Sequence, residues 1–213
     1  MAPRTARAAV HPTRQPRSAA TRERILAATE ALLAEGDPEL VTMEQVAARA
    51  HVSIGAIYKR FQGKSSLLPL VLERVHAQQL ERLHAFLALP RWREAGLGER
   101  VHALLQVFAE NQEARQRLIR ALVVGHWQSG DPAPQEARAA EVMGAMHAWL
   151  GECAAEIRHP EPRLALSLGL FTTLQTLQTA IMLGRVPPAL GLARFTEELA
   201  RMFLAYLTAT PAP

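Results

Sequence analysis

The chain has 213 residues, of which 49% are hydrophobic, 21% charged and 5% aromatic, with one cysteine, Cys153. That apolar fraction excludes wholesale disorder. A lone cysteine excludes a disulfide scaffold and an all-cysteine zinc site, and fits a reducing, cytoplasmic setting. The formal charge of +4 is unevenly placed: residues 1–24 hold six Arg against one Glu, net +5, leaving −1 for residues 25–213.

The opening MAPRTARAAVHPTRQPRSAATRER lacks the hydrophobic core of roughly 7–15 residues that a secretory signal needs. Its Arg-rich, acid-poor composition allows a transit peptide or a flexible basic arm over residues 1–20. Three prolines in the first sixteen residues argue against a helix there.

Helical periodicity runs through nearly all of the rest, without sustained strand-like alternation. Ile25, Thr29, Leu32 and Leu33 share one face of a first helix, ended by Gly36 and Asp37-Pro38. Thr42-Met-Glu-Gln45 is a capping-box pattern opening a second, short helix with Val46, Ala47 and Ala50. His51-Val52 forms the turn, and Ser53 caps a third helix through Phe61. A fourth helix spans about 64–88, with Leu68, Leu72, Val75, Leu83, Phe86 and Leu87 as its apolar positions.

After a loop over 89–98, Val101, Leu104, Leu105 and Phe108 open the next helix, and Leu118, Ile119, Leu122 and Val123 another, broken by Ser129–Pro134. Val142, Met146, Trp149, Leu150, Cys153 and Ile157 follow, and the last two helices cover about 163–184 and 190–208. Between Leu164 and Gly184 there is no charge, nominally enough to span a bilayer. Gln175 and Gln178 at mid-span make a helix buried in protein the better reading, so no membrane partner is expected.

Residues 41–64, VTMEQVAARAHVSIGAIYKRFQGK, place two short helices around a tight turn, with the small Ala47 facing it. That is the helix-turn-helix arrangement, whose second helix offers its amino-terminal residues to the DNA major groove. Ile54, Ile57 and Phe61 are read as facing inwards, and Ser53, Gly55, Ala56, Lys59 and Arg60 outwards, with Tyr58 at the edge. Ser53 and Tyr58 hydroxyls suit phosphate oxygens, and Lys59, Arg60 and Lys64 supply charge. Thr42 stands at a helix amino terminus, which attracts anions. Gly55 and Ala56 let the backbone approach bases closely. Both lysines of the chain, Lys59 and Lys64, fall in this segment.

With those residues in hand, 21–72 resembles the amino-terminal domain of TetR-type transcriptional regulators, over about a quarter of the chain. The shared signals are Ile-Leu-Ala-Ala in the first helix, the Thr before the second, Val-Ser-x-Gly-x-Ile-Tyr, Phe61 and Lys64. The resemblance implies phosphate contacts for Thr42, Tyr58 and Lys64, and positions at or near the bases for Ser53, Gly55, Ala56 and Lys59. Three residues depart from the usual pattern: Arg60 where His or Tyr is common, Gly63 where Ser often caps, and Pro69 inside the fourth helix. Arg60 adds a potential phosphate contact, and Pro69 removes one backbone bond, kinking the helix unless it starts later. The basic arm either enters an adjacent minor groove or is a solvated tail that raises nonspecific affinity.

The resemblance further implies a carboxyl-terminal domain that dimerises and often encloses an effector pocket. Ala165, Gly169, Thr172, Thr176 and Thr179 form a small-residue stripe on the penultimate helix. Leu192, Phe195, Leu199, Met202 and Tyr206 form an apolar stripe on the last. Together they suit an isologous four-helix homodimer interface, or else each subunit's own core. Phe171, Gln175, Gln178 and Met182, with Phe108, Trp127, Met143 and His147, are candidate pocket or core positions for an apolar or aromatic effector.

The expected fold is therefore all-α. A helix-turn-helix DNA-binding domain over 21–66 is joined by a long fourth helix to a helical effector-binding and dimerisation domain over 67–213. The expected function is a regulator that binds a near-palindromic double-stranded operator as a dimer, released by a small effector; a constitutive DNA-binding regulator is the alternative. The chain lacks G-x-S-x-G, a Walker loop, H-E-x-x-H and C-x-x-C, so neither catalysis, cofactor nor metal is expected.

Overall fold

The computed structural model describes residues 15–120 and 133–209. Most of the expected basic arm, Leu122, Val123, Trp127 and residues 129–132 of the expected break at Ser129–Pro134 lie outside them, and a helix already begins at Ala133 within that break. The described residues form helices α1 (Gln15–Glu35), α2 (Met43–Arg49), α3 (Ile54–Tyr58), α4 (Lys64–Leu87), α5 (Leu97–Ala114), α6 (Ala133–Gly151), α7 (Pro162–Met182) and α8 (Gly191–Thr208), with a further helical stretch at 116–120. The chain divides into two compact units between Val71 and Leu72. Helix α1 starts earlier than the prolines imply: Pro16 falls in its first turn, where a missing N–H forfeits no helical bond.

In the first unit α1 buries Ile25, Leu26 and Leu33 around Thr29, whose hydroxyl donates to the Ile25 carbonyl at 2.8 Å. That bond lets a polar side chain sit in the core without an unmet group. The capping box forms: the Thr42 N–H donates to Gln45 Oε1 at 2.9 Å, and the Gln45 N–H to Thr42 Oγ1 at 3.2 Å. Val46 and Ala47 on α2 and Ile57 and Phe61 beyond the turn are all buried. His51 takes φ 53° there, a left-handed conformation that few side chains adopt readily. Arg49 clamps Glu35 with two hydrogen bonds, at 2.9 and 2.5 Å, joining the ends of α2 and α1. The same contact holds the Glu35 carboxyl below its ordinary pKa.

Helix α3 ends at Tyr58, before the expected Phe61. Helix α4 starts without a capping side chain at Gly63. Ser66 supplies one from inside the helix, accepting from the Gly63 N–H at 3.3 Å and donating to the Gly63 carbonyl at 2.7 Å. Pro69 is accommodated within α4, which runs unbroken from Lys64 to Leu87. The fully buried apolar residues on its first turns are Leu67 and Val71 rather than Leu68.

The second unit packs α5, α6, α7 and α8 around Val101, Leu104, Leu150, Leu170, Leu177 and Leu207. Trp92, Phe86 and Trp149 form an aromatic cluster with centroids 5.0 to 5.9 Å apart. Beside them the buried Arg100 guanidinium donates to the carbonyls of Trp92, Ala95 and Trp149 at 2.6, 3.2 and 2.8 Å, and to Glu152 Oε2 at 2.7 Å. This charge is solvated by the fold itself, so removing it would strand three buried carbonyls. Cys153 is buried next to it, and burial pushes its thiol pKa up.

The small-residue stripe on α7 divides in two. Ala165 and Gly169 are buried, and a Cβ on Gly169 would stand 2.3 Å from the Phe203 ring of α8. Thr172, Thr176 and Thr179 are exposed. The stripe straddles the edge of the buried face, so its first half serves the subunit's own core and its second half does not. On α8, Leu199 is buried and Met202 is 67% exposed. Helix α7 is long and apolar enough to cross a bilayer, yet half of its most apolar window is buried against protein, as the two Gln imply.

Candidate functional site

The helix-turn-helix is shaped by short-range bonds. Ser53 Oγ accepts from the Ala56 N–H at 3.2 Å, so the cap sets where α3 begins. The Val52 N–H donates to the Ala47 carbonyl at 3.0 Å across the turn. Ile57, fully buried, is the inward anchor of α3. A five-residue helix has room for one such anchor, and Ile54, expected to face inwards, is 38% exposed instead.

The outward face carries Ser53, Ile54, Gly55, Tyr58 and Lys59, all exposed, with Ala56 half-buried. Tyr58 is 52% exposed. Thr42, also exposed, has its N–H and Oγ1 engaged with Gln45, so what it offers outwards is its hydroxyl hydrogen. Lys64 is half-buried, with Nζ donating to the Glu39 carbonyl at 3.4 Å. Arg60 is drawn back into the chain, onto the Ala56 carbonyl at 2.9 Å and Ser18 Oγ at 3.4 Å, instead of pointing freely outwards. At Gly55, as at Gly63, Gly144 and Gly151, an added Cβ would meet nothing within 4 Å. What sets Gly55 apart is its place on the exposed face of α3, where no described residue requires a glycine.

In the second unit α7 presents Leu164, Leu168 and the 56% exposed Phe171 outwards, and α8 presents Met202. Two hydroxyls among them are already engaged: Thr172 and Thr176 each donate to the carbonyl four residues back at 2.7 Å. Arg194, Glu197, Glu198 and Arg201 pair with one another along α8. Covering these threonines and this ion-pair ladder strands no donor, whereas the exposed Gln175 amide would need a partner from the covering surface.

A cavity of about 290 Å³ lies between α4, α5 and α6, walled by Leu83, Phe86, Leu104, Phe108 and Met146. Of the expected pocket residues placed by the structure, Phe108 lines it. Phe171 and Gln175 are corrected to the outer face of α7, because the helix turns its leucines inwards and these two the other way. Met143, Gln178 and Met182 are half-buried elsewhere, and His147 Nε2 stands 3.4 Å from the Arg163 carbonyl. The sequence reading missed Gln112, which lines the cavity and is buried. Its available signal was register, because Gln112 continues the apolar stripe of Leu105 and Phe108 at i+7 and i+4.

Comparison with known proteins agrees with this architecture. Residues 25–71 match the sequence model of the family described as bacterial regulatory proteins, tetR family. A putative TetR-family regulator from Mesorhizobium loti shares 22% identity over 90% of this chain and 98% of its own, with a TM-score of 0.64. SmeT, the repressor of the Stenotrophomonas maltophilia multidrug efflux pump SmeDEF, shares 24% over 92% and 98%, TM-score 0.56. FadR of Bacillus subtilis, solved with stearoyl-CoA, shares 18% over 86% and 98%, TM-score 0.58. No curated protein matches significantly. At these identities the solved structures establish the fold, and residues 25–71 carry the sequence pattern of the helix-turn-helix domain of the tetR family of bacterial regulatory proteins.

Proposed function

We propose that the chain is a dimeric repressor that binds a near-palindromic operator and is released by a small apolar or aromatic effector. The observation that carries DNA binding is the open face of α3, where a glycine with no internal purpose is flanked by Ser53, Tyr58 and Lys59. A backbone without a side chain suits close approach to base edges, and hydroxyl and ammonium groups around it suit the phosphates. Thr42, Ala56 and Lys64 complete the interface. SmeT, a repressor, and FadR, solved with a ligand, have this fold, which supports the repressor and effector parts of the reading.

The apolar outer face of α7 and α8 supports an isologous dimer, with Phe171 and Met202 buried between subunits. Two half-sites would then lie about 34–36 Å apart, one helical turn of DNA. The effector acts only through its differential affinity for DNA-competent and incompetent conformers. Double substitution Tyr58→Phe with Lys64→Ala tests the interface by fluorescence anisotropy across salt. Affinity is expected to fall on every duplex, with the salt slope reduced by about one; unchanged binding would refute it. If effectors bind and leave operator affinity as it was, the constitutive alternative replaces the switch.

A further inference from the structure

The cavity between α4, α5 and α6 has an unusual balance of groups. Its walls are mostly apolar, with Gln79, Asn111 and Gln112 as the neutral polar residues, and no Asp or Glu among the described residues lines it. Gln112, 8% exposed, contributes a buried Oε1 that accepts no hydrogen bond. A buried acceptor left unmet costs stability that a bound donor would restore. The charged lining residue is Arg82, exposed at the rim on α4. A second, more open groove of about 400 Å³ between α5 and α8 is lined by Glu110, Glu113 and Glu197 and has no such orphan.

Resting on the ligand-responsive reading above, we propose that this cavity binds a hydroxylated aromatic acid: an apolar ring, a hydroxyl donating to Gln112 Oε1, and a carboxylate at Arg82. The chemistry of the walls selects that polarity. A cation finds no counter-charge here and meets Arg82, whereas an ether oxygen in place of the hydroxyl faces another lone pair at Gln112. At about 290 Å³ the space is roughly twice the ~150 Å³ of a cavity known to take benzene. One ring with a short side chain fits that volume.

Isothermal calorimetry on the full chain without DNA tests the assignment with para-hydroxyphenylpropanoate, its methyl ether para-methoxyphenylpropanoate, and the cation tyramine. The phenol is expected to bind about tenfold or more tighter than the ether, and tyramine weakest. Gln112→Met is expected to erase the preference for phenol over ether and to raise the unfolding midpoint of the free protein. Arg82→Gln is expected to weaken both acids alike and keep that preference. Equal binding of phenol and ether, tighter binding of tyramine, or no binding of any probe at millimolar concentration overturns the proposal, and the wild-type comparison decides even if the Gln112 variant does not fold. A probe that shows the expected preference while leaving DNA affinity unchanged supports the site and refutes only the switch.

Discussion

Substituting Gly55→Ala separates what α3 needs for folding from what it needs for its partner. Inside the chain the added methyl meets nothing within 4 Å, so no contact opposes it. Alanine is intrinsically the better helix residue, by up to about 1 kcal/mol in a helix interior. Position 55 is the second residue of a five-residue helix, so we take about 0.5 kcal/mol as the gain. Amide exchange of α3, read against the rest of the first unit, is expected to slow slightly or stay unchanged. DNA affinity is expected to move the opposite way. A methyl that holds the backbone off a base pair and breaks one good contact costs on the order of 1–3 kcal/mol, at least about fivefold in Kd. Anisotropy titration against a duplex selected by the wild-type protein measures it. Should the variant fold as well and bind as tightly as wild type, the clearance argument for Gly55 is wrong.

Gly169→Ala is expected to do the reverse, because its methyl would stand 2.3 Å from the Phe203 ring. Overpacking should cost about 1–3 kcal/mol in denaturant unfolding followed by Trp fluorescence, and Phe203→Leu should relieve much of it in the double variant. Phe171→Glu places charge on the exposed outer face of α7 and should leave the fold intact while sedimentation shows dissociation to monomers; an unchanged mass would place the dimer contact elsewhere. Cys153, buried and with its thiol pKa raised, should react with an aromatic disulfide reagent only as fast as the second unit opens, so its rate should track denaturant. His51→Gly should raise stability by about 1 kcal/mol by removing a left-handed side-chain residue from the turn, readable as a higher midpoint for the first unit.

What the sequence discloses is what short-range chemistry determines. Thr42 with Gln45 and Ser53 with the Ala56 amide are caps formed within a few residues, so the starts of α2 and α3 were legible. Of the three residues read as facing inwards, Ile57 and Phe61 are buried, Phe61 from just beyond the end of α3, and only Ile54 at the first position of this short helix is left outside. On α4 the adjacent pairs Leu67-Leu68 and Val71-Leu72 offer two apolar stripes, and packing buries Leu67 over Leu68 but takes both Val71 and Leu72. Gly169 looks like any small residue until the Phe203 ring is placed over it. The cavity was the least legible, because its walls come from three helices separated by long stretches of chain. Nothing local distinguishes Phe108, which lines it, from Phe171, which faces outwards.

The ladder of alternating charges along α8 has a practical consequence. Arg194, Glu197, Glu198 and Arg201 compensate one another within about two helix turns, leaving little net field for dissolved ions to screen. Protein–protein contact on that side should therefore tolerate brine, whereas attraction between α3 and a polyanion weakens steeply as counterions are added. A simple gradient of potassium chloride would strip nucleic acid from the molecule while its quaternary state stayed put, allowing each equilibrium to be weighed on its own.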